Sequence, residues 1–285
     1  MYNLTDINTI KTLIGKNDFR FSKSLGQNFI IDPDICPEMA ASCGADKNSL
    51  VIEIGPGIGV LTQELSRVAG KVVSIEIDKQ LLPILDKTLS ECENVKIITG
   101  DVMKLDLNEL IESERETFKK VFVCANLPYY ITSPIIIKLI ENKLPLESIT
   151  VMVQKEAADR LCAEVGSRQA GAVTVAVNYR AQASKLFDVP KTAFMPSPKV
   201  DSAVIKLDMR DEPPVKVNDE EIFFKTVRAA FGQRRKTAVN SLSSGLGISK
   251  EKIAQILTGR GFDLNVRAET MTMEDFANIS NLISG

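Results

Sequence analysis

From residue 50 to about residue 155, short apolar runs alternate with stretches whose apolar positions recur every three or four residues. An unbroken apolar run bounded by turn residues marks a buried strand, and a period near 3.6 marks a helix. The pattern predicts strands at Leu50–Ile54, Val72–Ile77, Val95–Ile98, Val121–Ala125 and Ile149–Val153. Between them it predicts helices at Val60–Val68, Lys79–Leu89 and Pro134–Asn142, where Pro134 is placed to open its helix. Strands apolar along their length and separated by helices imply a parallel sheet covered on both faces.

Further along, Val173, Val175 and Val177 alternate like a strand, but Gly171–Arg180 fits a helix as well. Ser184–Val189 and Val200–Leu207 form an expected strand pair, joined by the proline-rich segment from Pro190 to Pro198. Asp211-Glu212-Pro213-Pro214 breaks the pattern. After it only helical periods remain, at Asp219–Phe231, Arg235–Leu242, Lys250–Thr258 and Thr272–Ile283, with Ser249 and Thr272 as expected N-caps. The expected division is therefore a domain over 1–211 and a small all-helical domain over 212–285.

Composition narrows the chemistry. The chain has 285 residues, 44% of them hydrophobic and 25% charged, as in a soluble globular protein. No apolar run reaches the ~18 residues of a membrane span, and the first residues lack a signal peptide's basic and apolar regions, so a cytoplasmic location is expected. The five cysteines are scattered without a CxxC, which suits reduced, inert thiols better than disulfides or zinc. There is no histidine, so His-based triads and His-ligated metals are excluded, and no metal is expected. The net charge is only −2, yet no acidic residue lies between Ile222 and Lys250, where Lys225, Arg228, Arg234, Arg235 and Lys236 occur. Near the N-terminus Lys11, Lys16, Arg20 and Lys23 face only Asp18. Each run is either a solvated face or a patch for RNA phosphates.

Four strand ends carry candidate chemistry. After the first strand comes Glu53-Ile54-Gly55-Pro56-Gly57-Ile58-Gly59, whose glycines let the backbone turn sharply beside a ligand. Val60 stands where the dinucleotide fingerprint needs its spacing completed, and no P-loop lysine is present, so nothing here is built to grip a pyrophosphate. The second strand ends in Glu76-Ile77-Asp78, where a carboxylate can accept from both hydroxyls of a ribose. The third ends in Gly100-Asp101, suited to an adenine edge. The fourth ends in Asn126-Leu127-Pro128-Tyr129: the Asn126 amide oxygen and the Leu127 carbonyl can accept from one planar amino group while Tyr129 stacks on its heterocycle, as a flipped-out base requires. Singly, each is an ordinary turn or helix cap. Together, at the carboxyl ends of successive parallel strands, they indicate an adenosine-bearing cofactor without phosphates, S-adenosylmethionine.

With those residues in view, the chain closely resembles the ribosomal RNA adenine dimethyltransferases along nearly its whole length. The resemblance rests on Lys23-Ser24-Leu25-Gly26-Gln27-Asn28-Phe29, the Glu53–Gly59 loop, the run from Asn126 to Pro134, and the run from Pro196 to Val204, followed by a helical tail. The family usually has Leu where this chain has Ile30. The resemblance implies cofactor contacts at Asn28, Ile30, Gly55, Glu76, Asp101 and Asn126, with Gly57 in the same loop. It also implies a Rossmann-like methyltransferase sheet with one antiparallel strand, and favours helix over 171–180. The implied reaction is N6 dimethylation of two adjacent adenosines in a hairpin near the 3′ end of small-subunit rRNA, on an immature 30S particle. Asn126, Leu127, Pro128 and Tyr129 are the expected catalytic set, with RNA contacts at Lys23, Arg228, Arg234, Arg235 and Lys236 and a monomeric enzyme. Competing readings are a 23S rRNA adenine methyltransferase of the macrolide-resistance type and a non-catalytic ribosome-assembly factor. An NAD-dependent dehydrogenase lacks its pyrophosphate loop here and has no use for Asn126–Tyr129.

Overall fold

In the computed structural model, which describes residues 2–17, 19–22, 25–114, 117–233 and 235–285, the chain divides into two compact units. The first comprises residues 1–158 and 184–209, the second 159–183 and 210–285. In chain order the strands are β1 (Phe29–Ile30), β2 (Ser49–Ile54), β3 (Lys71–Glu76), β4 (Val95–Thr99), β5 (Lys120–Asn126), β6 (Ser148–Gln154), β7 (Ala181–Val189), β8 (Phe194–Met195) and β9 (Ser202–Met209). The helices are α1 (Ile7–Lys16), α2 (Ile35–Cys43), α3 (Val60–Val68), α4 (Leu82–Thr88), α5 (Leu107–Glu112), α6 (Thr132–Glu141), α7 (Lys155–Leu161) and α8 (Ala172–Arg180), then α9 (Glu220–Phe231), α10 (Ala238–Leu246), α11 (Lys250–Gly259) and α12 (Met273–Ser284).

The main sheet has the order β4-β3-β2-β5-β6-β9-β7. β2 pairs in parallel with β3 and with β5, β3 with β4, and β5 with β6, while β9 runs antiparallel to β6. Every residue of β2 is buried, the pattern expected of a strand covered on both faces. Chain order proceeds outward from β2 through β3 to β4 and then resumes on the other side of β2 with β5. That reversal opens a crevice at the strands' carboxyl ends, where open α/β sheets bind ligands.

Two apolar clusters fix what surrounds the crevice. One packs Met39, Cys36 and Cys43 of α2 with Leu61 and Leu65 of α3 against Phe122, Cys124 and Met152 of the sheet. The other gathers Ile10 and Leu13 of α1, Phe19, Phe29, Ile58 and Ile84 and Leu85 of α4. Phe19, Phe21 and Phe29 meet with ring centroids 5.0–5.9 Å apart. This aromatic group holds residues 28–30 beside the glycine-rich loop, and β1 is pinned further by antiparallel pairing with β8.

In the second unit α9 is amphipathic and buries Phe223, Phe224 and Val227. Tyr179 of α8 joins Phe223 and Phe224 with centroids 4.6 and 5.4 Å away. Glu220 accepts from the Tyr179 hydroxyl at 3.2 Å and from Arg180 Nη2 at 2.6 Å. Burial, reinforced by the Glu220 charge, pushes the Tyr179 hydroxyl up to about 12. These contacts explain why residues 159–183 group with the tail, whereas the sequence division into 1–211 and 212–285 placed them in the first domain. They also settle 171–180 as helix: Val173, Val175 and Val177 are buried, but so are Thr174 and Ala176 between them. A helix buried nearly all round carries no period to read. Ser249 and Thr272 cap α11 and α12 as expected, accepting from the backbone of Lys252 and Asp275.

Gly245 of α10 lies tight against Ala229 of α9. A Cβ there would lie 2.8 Å from the Ala229 Cα. Gly-to-Ala in a helix ordinarily gains ~1 kcal/mol, but overpacking against fixed helix backbone costs ~1–3 kcal/mol. The clash wins, so Gly245→Ala is expected to lower stability by about 1–2 kcal/mol. An unchanged or raised urea midpoint would show that the two helices separate freely.

Candidate active site

The carboxyl ends of β2, β3, β4 and β5 converge on one pocket, and residues 25–30 form its opposite wall. Asn28, Ile30, Gly55, Gly57, Glu76, Asp101, Asn126, Leu127, Pro128 and Tyr129 all line it. Every pocket residue singled out from the sequence is thus brought to one place.

The loop after β2 turns on three glycines with φ of +73°, +60° and +93° at Gly55, Gly57 and Gly59. L side chains rarely adopt this left-handed region, so the loop keeps its backbone bare beside the pocket. A Cβ on Gly59 would also meet the Leu89 side chain at 3.0 Å, which would have to give way by a few tenths of an ångström.

Two carboxyls are buried in the crevice. Glu53 accepts from the Thr62 hydroxyl at 2.7 Å and the Ser74 hydroxyl at 2.6 Å. Burial pushes it up to about 7, against the pull of those two hydroxyls. Glu76 accepts from the Asp78 backbone N–H at 2.7 Å. Burial likewise pushes Glu76 up to about 7, opposed chiefly by the backbone N–H groups of Asp78 and Gly57. Asp101 lies in the next loop, its Oδ1 accepting from the Met103 N–H at 2.9 Å.

At the end of β5, Asn126 pairs with Met152 through the strand ladder and Leu127 N–H donates to the Met152 carbonyl at 3.1 Å. Among the described residues neither the Asn126 side-chain amide nor the Leu127 carbonyl has a hydrogen-bond partner. Two acceptors side by side in a pocket are therefore free to receive one amino group. Pro128 sits at φ −60° and leads into a turn over Tyr129–Ile131. The Tyr129 and Ser202 hydroxyls lie 2.6 Å apart, which fixes the half-buried ring, and burial raises the Tyr129 hydroxyl above its usual range. Tyr130 is 57% exposed on the pocket rim.

Three supports were not visible in the sequence. Phe194 lines the pocket because β8 pairs with β1, 164 residues apart between Ile30 and Phe194. Ser202, which holds Tyr129, is 73 residues from it. Lys138 of α6 donates to the carbonyls of Met103 and Leu105 at 3.0 and 2.7 Å, holding the Asp101 loop from the helix that follows Asn126.

Of the expected RNA contacts, Arg228, Arg235 and Lys236 belong to the second unit. Arg228 is exposed on α9, and Arg235 and Lys236 are exposed in the connection before α10. The helix predicted to start at Arg235 starts at Ala238, since Thr237 before it is extended, with ψ of 158°. Arg235 and Lys236 therefore belong to a turn and not to a helix face. Lys23 and Arg234 fall outside the described residues. None of the helices among the described residues is long and apolar enough to cross a membrane.

A sequence model of the family described as ribosomal RNA adenine dimethylase matches residues 18–284. The chain is 49% identical over 276 residues to a ribosomal RNA small subunit methyltransferase A from Geobacillus thermodenitrificans, covering 96% of this chain and 94% of the relative. It is 46% identical over 286 residues to the protein of the same name from Bacillus mycoides, covering 99% and 98%. Among solved structures it is similar to a dimethyladenosine transferase from Plasmodium falciparum, with a TM-score of 0.69, 25% identity, and 88% and 95% of the two chains covered. The 23S rRNA methyltransferase ErmE superposes with a TM-score of 0.64 at 24% identity, over 90% and 100%, a likeness of fold.

Proposed function

Because this chain belongs to the ribosomal RNA adenine dimethylase family, we propose that it dimethylates N6 of two adjacent adenosines in a 3′-terminal hairpin of 16S rRNA, acting on immature 30S particles with S-adenosylmethionine. The observation that carries this reading is the Asn126 amide and Leu127 carbonyl, without partners among the described residues, in the pocket that the strand ends line. When bound, S-adenosylmethionine supplies a methyl group already activated by its sulfonium.

The chain's residues do the rest. Glu76 would accept from the ribose hydroxyls and Asp101 would receive the adenine edge, while Gly55 and Gly57 would let the backbone close on the ligand; all four line the pocket. Asn28 and Ile30 form the facing wall. The adenine N6 lone pair is delocalised into its ring, so the nucleophile is poor. Acceptance of its hydrogens by Asn126 and Leu127 favours a pyramidal nitrogen aimed at the methyl group, and Pro128 fixes the angle of the turn. Tyr129, held by Ser202, offers its ring to the flipped base, a stacking contact of ~1–3 kcal/mol. Orientation of the two reactants supplies much of the rate.

The test is incubation with labelled S-adenosylmethionine and naked 16S rRNA, immature 30S particles or 50S particles, followed by mapping of the modified nucleotides. Paired N6-dimethyladenosines in 30S material are expected. Label confined to 23S rRNA would support the resistance-type enzyme, and none anywhere a binding-only assembly factor. The relatives at 46–49% identity bear small-subunit names, which favours the first outcome.

The tail's cations are assigned to rRNA phosphates. Charge reversal of Arg234, Arg235 and Lys236 to Glu is expected to weaken binding to immature 30S particles and to reduce the log–log salt slope by about two to three, since each lost phosphate contact removes ~0.9. Cofactor affinity should be unaffected. An unchanged affinity and salt slope would reduce these charges to solubility.

A further inference from the structure

We propose that Gln27 is a positioning residue that couples the two walls of the pocket and thereby sets cofactor affinity. This rests on the reading that the pocket takes S-adenosylmethionine. Gln27 Nε2 donates to Asp78 Oδ2 at 2.7 Å, and Gln27 Oε1 accepts from the Ser22 N–H at 2.8 Å. A primary amide gives and takes at once, so one side chain orders its own segment and grips a partner 51 residues away. Gln27 adjoins Asn28, and both line the pocket.

Asp78 carries the coupling onward. It is 8% exposed, and its Oδ1 accepts from the Gln80 N–H at 3.0 Å, opening the turn after β3. Its own N–H donates to Glu76 Oε1. Hydrogen bonds therefore tie Ser22 to Gln27, Gln27 to the Asp78 carboxylate, and the Asp78 backbone N–H to Glu76, the carboxyl that would face the ribose. A carboxylate acceptor makes the Gln27–Asp78 bond stronger than a neutral one. Without it, Asp78 Oδ2 would lose its donor beside the Glu76 carboxyl. Residues 25–30 would lose their only side-chain hydrogen bond to β3's end among the described residues. Aromatic packing of Phe29 would still hold that segment near the pocket but would not fix its register against Glu76.

The test uses the full chain and calorimetry with S-adenosylhomocysteine on Gln27→Glu, Asp78→Asn and the double variant, with ligand-free melting temperatures. Gln27→Glu sets two carboxylates against each other, and Asp78→Asn leaves one amide oxygen where Gln27 Nε2 and the Gln80 N–H now each meet an oxygen of their own. Each is expected to raise Kd about tenfold, the loss of one charge-assisted bond. The double variant restores one donor facing one acceptor, the new amide at position 78 donating to the new carboxylate at position 27. It is expected to bind within a few-fold of the wild-type chain, a rescue that a general loosening of the fold would not produce. Unchanged affinity in Gln27→Glu, or a double variant no better than either single, overturns the proposal. Glu76→Ala serves as the reference arm: if it too bound normally, the cofactor reading of the pocket would fail, whereas normal binding by Gln27→Glu alone would remove only the coupling.

Discussion

Alanine in place of Asn126 is expected to slow methyl transfer to adenine by about 10²–10³-fold, the usual cost of removing one polar group aimed at a reacting centre. Asn126 stands at the last position of β5, in register with Met152, so its backbone is fixed by the ladder whatever its side chain. The substitution therefore deletes an acceptor without moving the strand. The Leu127 carbonyl remains, but a single acceptor cannot hold both hydrogens of one amine. Some loss of cofactor affinity is expected as well, because Asn126 lines the same pocket as Gly55, Glu76 and Asp101. Single-turnover rates at saturating S-adenosylmethionine separate the two effects. A folded Asn126→Ala protein that retained its single-turnover rate would remove Asn126 from the chemistry.

The second large effect concerns Glu76. Glu76→Ala removes a charged acceptor for two hydroxyls, and hydrogen bonds to charged groups contribute ~1.5–3 kcal/mol. Kd for S-adenosylmethionine should rise roughly 10- to 100-fold. The wild-type site should also respond to pH. With its carboxyl pushed up to about 7 by burial, the free protein holds Glu76 protonated over much of the acidic range. Only the ionised form accepts from both hydroxyls, so affinity should fall as pH drops through about 7. The ligand-free fold has the opposite slope. A carboxyl raised from the ordinary 4.5 to about 7 favours folding below 4.5 and loses that contribution as pH climbs through 7, and Glu53 adds in the same direction. Glu76→Gln should flatten both profiles in part. A pH-independent Kd between 5 and 8 in the wild-type chain would contradict this assignment.

Local rules made much of this protein legible. The apolar runs at 50–54, 72–77, 95–98, 121–125 and 149–153 match β2 to β6 within two residues; β2, β3, β5 and β6 are buried parallel strands that need apolar sequence, while β4 at the sheet edge has no buried residue and carries Lys96. Val60–Val68 is α3 as expected, since Gly55–Gly59 provides a turn that ends one element and starts the next. Ser249 and Thr272 cap helices through contacts three residues away. The strand-end motifs could be placed in one crevice because a parallel α/β order sends every strand's carboxyl end to the same edge.

Other features were decided only by tertiary structure. The alternating valines of 171–180 suit a strand, yet the aromatic packing of Tyr179 on Phe223 and Phe224 makes the segment a buried helix and draws 159–183 to the tail. The short helices α2, α5 and α7 offered no clean period. Burial took Glu53 and Glu76 far from ordinary carboxyl behaviour, a consequence of what surrounds them and not of their neighbours in sequence. The links from Gln27 to Asp78, Tyr129 to Ser202 and Lys138 to the Asp101 loop join positions 33 to 73 residues apart. Hydrophobic period, turn chemistry and capping act over a few residues, so the sequence alone determines elements and the edge at which chemistry collects. Side-chain partners across that edge depend on how the chain closes in three dimensions, and no local pattern carries that information.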